Sequence, residues 1–460
     1  MDINSLITYN RKLPLGGIYD DQSVFLHMHH YFDDFLTISD THGRWLESLG
    51  LADKNAELNI DHEVNKGIKI ASSREFANFV KQHPRRKYVL YGPLSPPYIV
   101  NPLNYIMNSP TIAHAYEHKR YFRDEFSELI NMPDHVVRRL DELDEAMFDE
   151  LAGMYEKFVI QDVESSGSKG TFIVRTRSQY GAAVKQLKAT SFSGSVVVSE
   201  FVDGLPCSIQ ACVTKYGVFT GGLQRQLVDS QYLCNVNLPG VSRWCGGELG
   251  GDSSEIVKHR MQEIATVVGS ELASHGYRGI FGIDLLITPD NDVYAIEVNA
   301  RLTGYTHVLS DMQFAKGKIP FALLHTLELG NFKYEVEDLE ALPTMNSTSE
   351  PYSYLIFNNE IDSSFTLQNE IPSGIYQYDS STRSVTYVKP GYSVADLASE
   401  EQFIVFCKFN KGDVIGRGKR MLKVIKKGYT MAEDGDLNKE AQVFAAAVKT
   451  HFSLPLRTEQ

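Results

Sequence analysis

The alternation of apolar and polar residues is sharpest over "GIDLLITPDNDVYAIEVNAR", Gly282–Arg301. Two apolar runs flank "PDND", a dense turn signal, and predict a β-hairpin. Helical periodicity appears in two long stretches. The first opens at Ser109-Pro110, a good N-cap followed by a proline suited to a first turn. Ile112, Ala115, Phe122, Phe126 and Leu129 then recur at helical spacing and predict one continuous amphipathic helix. Lys119 falls on the same face, either snorkelling to its edge or meeting an anion in a cleft. The second runs from about Ser253 to His275, with Val257, Met261, Ile264, Val268 and Leu272 on one face. Asp252 and Glu255 have capping-box spacing there, and Gly276 follows the end.

Shorter signals fill the rest. "RKYVLYG" (Arg86–Gly92) reads as a strand, and "PLSPPY" after it as a loop, either lining a cleft or joining elements at the surface. A helix is expected over Leu140–Tyr155. "KFVIQDVESSGSKGTFIVRT" (Lys157–Thr176) reads as strand, glycine loop, strand, and "GSVVVSEFVDG" (Gly194–Gly204) as a strand and turn. "CSIQACVT" and "GVFTGGLQRQLV" continue the β pattern. From about Ser347 the chain turns rich in Ser, Thr, Tyr and Gly. "QFIVFCKF" and "RMLKVIKKG" predict a separate β-rich unit closed by a helix over Leu437–Phe452. The expected organisation is α/β (α+β): an N-terminal open α/β domain over 1–110, a central domain over 111–345 and a β-rich domain over 346–460.

Composition narrows the partners. A chain of 460 residues exceeds one hydrophobic core. With 45 basic and 58 acidic residues the net charge is −13, which argues against nucleic acid. The first residues lack a signal-peptide layout, and no apolar run is long enough to cross a bilayer. The five cysteines are odd in number and contain no C-x-x-C pair, so reduced thiols in a cytoplasm are expected. The histidines of "HMHHYFDD" read as packed among aromatics, not as a metal site.

The hairpin carries the candidate chemistry. Counting outward from a two-residue Asp290-Asn291 turn, Asp284 faces Glu297 and Gly282 faces Asn299. Side chains alternate along a strand, so Asp284, Glu297, Asn299 and Arg301 project to one side. Facing carboxylates repel unless a cation neutralises them. Two acids and an amide suit Mg2+ better than zinc. A register slip of one residue would separate the acids.

These residues resemble the ATP-grasp superfamily. "IDLLIT…YAIEVNARLTG" looks like its metal-binding hairpin, "FVIQDVESSGSKGTFIV" like its strand and glycine-rich lid loop, "VVVSEFVDG" like its adenine hinge, and "HKRYFRDEF" like the helix start whose lysine reaches ATP. The resemblance spans roughly residues 85–310 and implies a mobile lid over about 132–200. It implies that Asp284, Glu297 and Asn299 bind one or two Mg2+, with Mn2+ able to substitute. Lys119 would meet ATP phosphate, and Gly167, Ser168, Lys169 and Gly170 would close over the phosphates. Glu200, Phe201 and Val202 would hold adenine. Arg301 would steady a carboxylate or its developing charge, and Arg225 is a second candidate for a carboxylate or phosphate. Gln161 stands where the family usually has a lysine, a charge that Lys157 or Lys169 could supply. Pro206 stands where a ribose-binding acid is usual, with Asp203 as the substitute.

The implied reaction is carboxylate–amine ligation through an acyl phosphate, on an amino acid or small peptide, in a monomer or homodimer. The first alternative is a carboxylate–thiol ligase loading an acyl carrier protein, suggested by the basic "GRGKRMLKVIKKG" (Gly416–Gly428). The second is a nucleotide-binding module without turnover, suggested by Gln161 and Pro206. The glycine-rich "SRWCGGELGGD" (Ser242–Asp252) is either a substrate wall or a flexible connection.

Overall fold

The computed structural model describes residues 1–13, 31, 108–165, 170–191, 193–236, 244–251, 253–344, 350–407 and 409–456 in full, with the backbone alone of five earlier strands. Gly167, Ser168, Lys169, "PLSPPY" and the histidine run apart from Tyr31 lie outside the described residues.

Those five strands form an all-parallel sheet. They are β1 (Leu15–Tyr19), β2 (Phe35–Ser39), β3 (Asn55–Asn59), β4 (Lys87–Tyr91) and β5 (Tyr105–Ile106), in the order β3-β2-β1-β4-β5. Helix α1 (Ile3–Lys12) precedes them, capped by the Asp2 carboxylate, which accepts the Ser5 N–H. This is the open α/β sheet expected of the N-terminal part.

The single helix expected from Ser109 onward is broken. Helix α2 spans Pro110–Glu117 and α3 spans Lys119–Phe126. Between them His118 is extended (φ −74°, ψ 112°), and its Nδ1 accepts the Tyr121 N–H. The Lys119 N–H turns instead to the Val163 carbonyl at 3.0 Å. Phe122 and Phe126 are buried as the periodicity required, but Leu129 lies past the helix end and is 58% exposed.

A four-stranded antiparallel sheet follows, ordered β6 (His135–Arg139), β9 (Ser195–Glu200), β7 (Phe158–Asp162), β8 (Thr171–Val174). Helices α4 (Glu145–Met154) and α5 (Arg177–Thr190) cover it over a core of Leu151, Phe158, Ile160, Tyr180, Leu187 and Val198. The helix expected over Leu140–Tyr155 is a 3-10 turn at Leu140–Glu142 and then α4, which Asp144 caps.

The largest sheet has eleven strands. Its path is β15 (Val293–Asn299), β14 (Gly279–Ile287), β10 (Leu205–Thr214), β12 (Gln224–Val228), β13 (Trp244–Leu249), β16 (Tyr352–Asn358), β22 (Arg420–Lys427), β20 (Gln402–Cys407), β18 (Gly374–Asp379) and β19 (Ser384–Lys389). Strand β11 (Gly217–Thr220) pairs with β10 alongside, and β17 (Phe365–Thr366) pairs with β21 (Val414–Ile415) in a separate ribbon. Alternation gives the sheet two faces. Cys207, Ile209, Ala211 and Val213 pack with α6 (Glu255–Ser274). Cys212 and Ile280 pack with α7 (Thr306–Ala315) and α8 (Phe321–Leu329). The cap of α6 is Ser254, which accepts the Val257 N–H, whereas Asp252 was expected and lies outside the described residues. Gly276 (φ +87°) ends the helix as anticipated.

The unit expected after residue 346 is not a separate sheet. Strand β16 pairs with β13 from Gly246↔Leu355 to Leu249↔Tyr352, so the ladder crosses that boundary unbroken. The unit's core is shared too, taking in Leu227, Leu233, Cys234 and Cys245, and there α9 (Lys439–His451) packs Phe444 and Val448 on Phe403, Tyr376 and Val405. A second tie is the buried Asp311 of α7, which accepts Ser393 Oγ at 2.7 Å and the Val394 N–H at 2.6 Å.

The β13–β16 junction needs glycine. Gly246 has φ +102°, and a Cβ there would lie 1.8 Å from the Tyr354 carbonyl oxygen. Gly246→Ala is expected to lower the first thermal unfolding transition by roughly 5 °C or more, read by calorimetry.

Candidate active site

The hairpin places its acids by two compensating irregularities. The turn has three residues, not two: the Thr288 N–H donates to the Asp292 carbonyl, the Asn291 N–H to the Thr288 carbonyl, and Asn291 adopts φ +64°. Near the turn the ladder therefore runs one residue off the expected count, with Leu286 facing Tyr294. An irregularity between Asp284 and Leu285 restores it, and Asp284 faces Glu297 and Gly282 faces Asn299. Gly282 is required beside Asn299, because a Cβ there would lie 2.6 Å from the Thr303 methyl.

The polar face of β15 is tied into one network. Asn299 Nδ2 donates to Asp284 Oδ2 at 3.1 Å, and Gln226 Nε2 donates to Asp284 Oδ1 at 2.7 Å. Arg301 Nη2 donates to Asn299 Oδ1 at 2.6 Å, and its Nε lies 3.0 Å from Glu117 Oε1. Lys119, 5% exposed, sets its Nζ 3.3 Å from Glu297 Oε2 and 2.5 Å from the Ser165 carbonyl oxygen. One ammonium thus joins the hairpin to the loop that follows β7. The hairpin's outer edge is closed by Asn131, which pairs with Val293 and Ala295, and by the buried Arg123, which donates to the Ala295 carbonyl at 3.3 Å.

Electrostatics splits the two acids. Burial, then the Glu297 charge, push the Asp284 carboxyl from 3.8 up to about 7. Burial also pushes Glu297 upward, but Lys119 and the hydrogen bond from Asp284 outweigh it and hold Glu297 below its ordinary value. Asp284 is therefore the first of the pair to take up a proton as pH falls, in keeping with two acids short of positive charge. Among the described residues no group of three or more His, Cys, Asp and Glu could hold a metal. Two facing carboxylates with an amide beside them fit Mg2+, which takes one or two carboxylates and leaves its other positions to water and phosphate.

The other candidates occupy two places. Lys157 lies over the Phe201 ring, 3.0 Å from its centroid, at the end of the four-stranded sheet. Glu200 Oε1 there accepts the Asp134 N–H at 3.0 Å, and Val202 and Asp203 follow on the connection to β10. Gln161 is buried and donates to Thr171 Oγ1 at 3.3 Å, and Gly170 closes on Ser165 and Asp162. Arg225 does not join the acids. It donates to Glu248 Oε2 at 3.1 Å and to the Ala432 carbonyl at 2.8 Å, while Glu248 accepts the Thr430 and Met431 N–H groups. Its neighbour Gln226 reaches Asp284 instead. Alternation within "LQRQ" already put Arg225 opposite the two glutamines, so Gln226 was readable. Glu117 was not, because a continuous helix points it away from Lys119.

Comparison with known proteins adds the family. Residues 116–305 match the family described as "ATP-grasp domain". The chain carries an ATP-grasp domain. Solved structures share the ATP-grasp architecture over nearly the whole chain. The biotin carboxylase domain of a Hydrogenobacter thermophilus 2-oxoglutarate carboxylase, held with MgADP and bicarbonate, is 10% identical with a TM-score of 0.61, covering 90% of this chain and 86% of that one. An L-amino acid ligase from Bacillus licheniformis is 13% identical with a TM-score of 0.58, covering 96% and 98%. A phosphoribosylamine–glycine ligase from Thermotoga maritima is 15% identical with a TM-score of 0.56, covering 95% and 96%. No curated protein matches by sequence.

The raised Asp284 predicts a pH signature. Its folded value of about 7 exceeds the ordinary 3.8, so the folded state binds more protons between them. Stability of the metal-free protein should fall as pH rises through that window. Mg2+ should restore it, more at pH 8 than at pH 6. Thermal midpoints with and without Mg2+ measure both effects, and Asp284→Asn should remove both.

Proposed function

We propose that the protein is an ATP-dependent carboxylate–amine ligase that joins an amino acid or small peptide to an amine through an acyl phosphate. The carrying observation is the Asp284–Glu297 pair, set face to face and bridged by Lys119 to the loop after β7. Asp284, Glu297 and Asn299 would hold one or two Mg2+, which when bound neutralise triphosphate charge.

The chain's own groups do the rest by position. Lys119 brings a buried ammonium to the phosphates. Backbone N–H groups from Gly167 to Gly170, with Ser168 and Lys169, close over them as a lid and exclude water from the acyl phosphate. Glu200, Phe201 and Val202 seat the adenine, with Lys157 at its edge and Asp203 toward the ribose. Arg301, partly exposed beside Asn299, receives the substrate carboxylate and stabilises the oxyanion formed when the amine attacks. Gln161 contributes a neutral hydrogen bond in place of a charge. Arg225, engaged with Glu248 and Ala432, serves as support for the wall around the site and not as a substrate contact.

The basic C-terminal stretch behind the thiol-ligase alternative is partly engaged within the chain, though Arg417, Lys419 and Arg420 stay exposed. Arg420 stacks on Trp244, Lys423 is buried, Arg417 pairs with Asp362, and Lys427 pairs with Glu350. Cytoplasmic residence suits five buried cysteines that form no disulfide. No helix among the described residues is long and apolar enough to cross a membrane.

A panel of carboxylic acids and amines, scored by ADP release with MgATP, tests the reaction class. A productive acid labelled with oxygen-18 should pass label into phosphate. Glu297→Gln should cut turnover at least about a hundredfold while the protein still folds and unfolds cooperatively. Full activity in that variant, or no ADP release with any acid, would refute the ligase reading.

A further inference from the structure

The break between α2 and α3 has chemical content. In an intact helix, residues two apart point about 200° away from each other. One extended residue reverses this, because side chains two apart along extended backbone point the same way. His118 is that residue, and it turns Glu117 and Lys119 toward one surface. Opposite them stand Arg301 and Glu297, both on the polar side of the hairpin. The charges cross in matched pairs: Glu117 Oε1 to Arg301 Nε at 3.0 Å, and Lys119 Nζ to Glu297 Oε2 at 3.3 Å. The Arg301 Nε–H is not aligned on Glu117 for a hydrogen bond, so that contact is an ion pair. Glu117 and Arg301 side chains are 28% and 19% exposed, and the atoms that meet are buried, so the pair is largely shielded from solvent.

We propose that Glu117 is a positioning residue for Arg301, and that the helix break at His118 exists to let Glu117 and Lys119 clamp Arg301 and Glu297 together. The inference rests on the ligase reading above and deepens it by naming what aims the arginine. Arg301 carries five N–H donors on a planar fork. Glu117 lies against Nε and Asn299 takes Nη2, which leaves the Nη1 donors for a ligand. Removing the Glu117 charge frees the fork to rotate about its long stem, so the acyl partner loses its anchor while the nucleotide keeps its own.

Acetyl phosphate serves as the probe. With MgADP the wild type should make ATP. The bond between phosphorus and the acetyl oxygen breaks, a bond to the terminal ADP oxygen forms, and acetate leaves. Glu117→Gln should raise KM for acetyl phosphate about tenfold and leave KM for ADP within about twofold, and Glu117→Asp should recover part of the loss. Glu117→Gln combined with Arg301→Lys should be no worse than Arg301→Lys alone. The Nε–H resonance of Arg301, assigned by its absence in Arg301→Lys, should shift in Glu117→Gln without any substrate present. An unmoved resonance, equal changes in both KM values, or multiplying effects in the double variant would overturn the assignment of Glu117. A wild type that makes no ATP while the Arg301 resonance does shift would strike at the ligase reading, and with it at any catalytic meaning of the clamp.

Discussion

Two carboxylates facing each other across a β-ladder are the constraint around which the site is organised. Asp284 and Glu297 cannot both be ionised at that separation without a cation nearby. The fold meets the requirement in part, through Lys119 against Glu297 and through amide donors from Gln226 and Asn299 against Asp284. The upward push that remains on Asp284 marks what is left unmet. On the proposed reading, a divalent ion held by the pair would supply the missing positive charge, and the repulsion that costs stability would favour its binding.

Much of this was legible in the sequence, for reasons that can be stated residue by residue. Period-two alternation from Glu297 to Arg301 told which polar side chains share a face, but it does not extend back to Val293: the irregularity opposite Asp284 and Leu285 inverts it, so Val293 and Ala295 pack in the same core as Val298 and Ala300. The facing of Asp284 and Glu297 was reached by counting from the wrong turn. A three-residue loop shifted the ladder by one, and an irregularity beside Asp284 shifted it back. Local sequence marks neither feature clearly, since Pro, Asp and Asn suit several turn types. The agreement therefore rested on two offsets that cancelled.

Other features lay beyond local pattern. The stripe from Ile112 to Phe126 satisfies a continuous helix, and only a tertiary contact, the Lys119 N–H on the Val163 carbonyl, accounts for the break at His118. Glu117 went unseen for that reason. Arg225 looked like a ligand for anions because a lone arginine near glycines gives no hint of its buried partner Glu248, which lies more than twenty residues on. Composition after Ser347 signalled β structure, but composition cannot show that β16 extends the ladder of β13 or that Leu227 and Cys245 join the same core.

That shared ladder bears on which parts of the molecule can shift during a reaction cycle. A hydrogen-bonded lattice running from β15 to β19 behaves as one stiff plate, so the acid pair and the C-terminal strands travel together. The four-stranded sheet stands outside that lattice: its passage back to the plate runs from Glu200 to Leu205, and Lys119 holds it by its ammonium on the Ser165 carbonyl and its N–H on the Val163 carbonyl. Severing the chain at residue 346 would strip β13 of its neighbour and leave a bare, sticky margin in the middle of the plate.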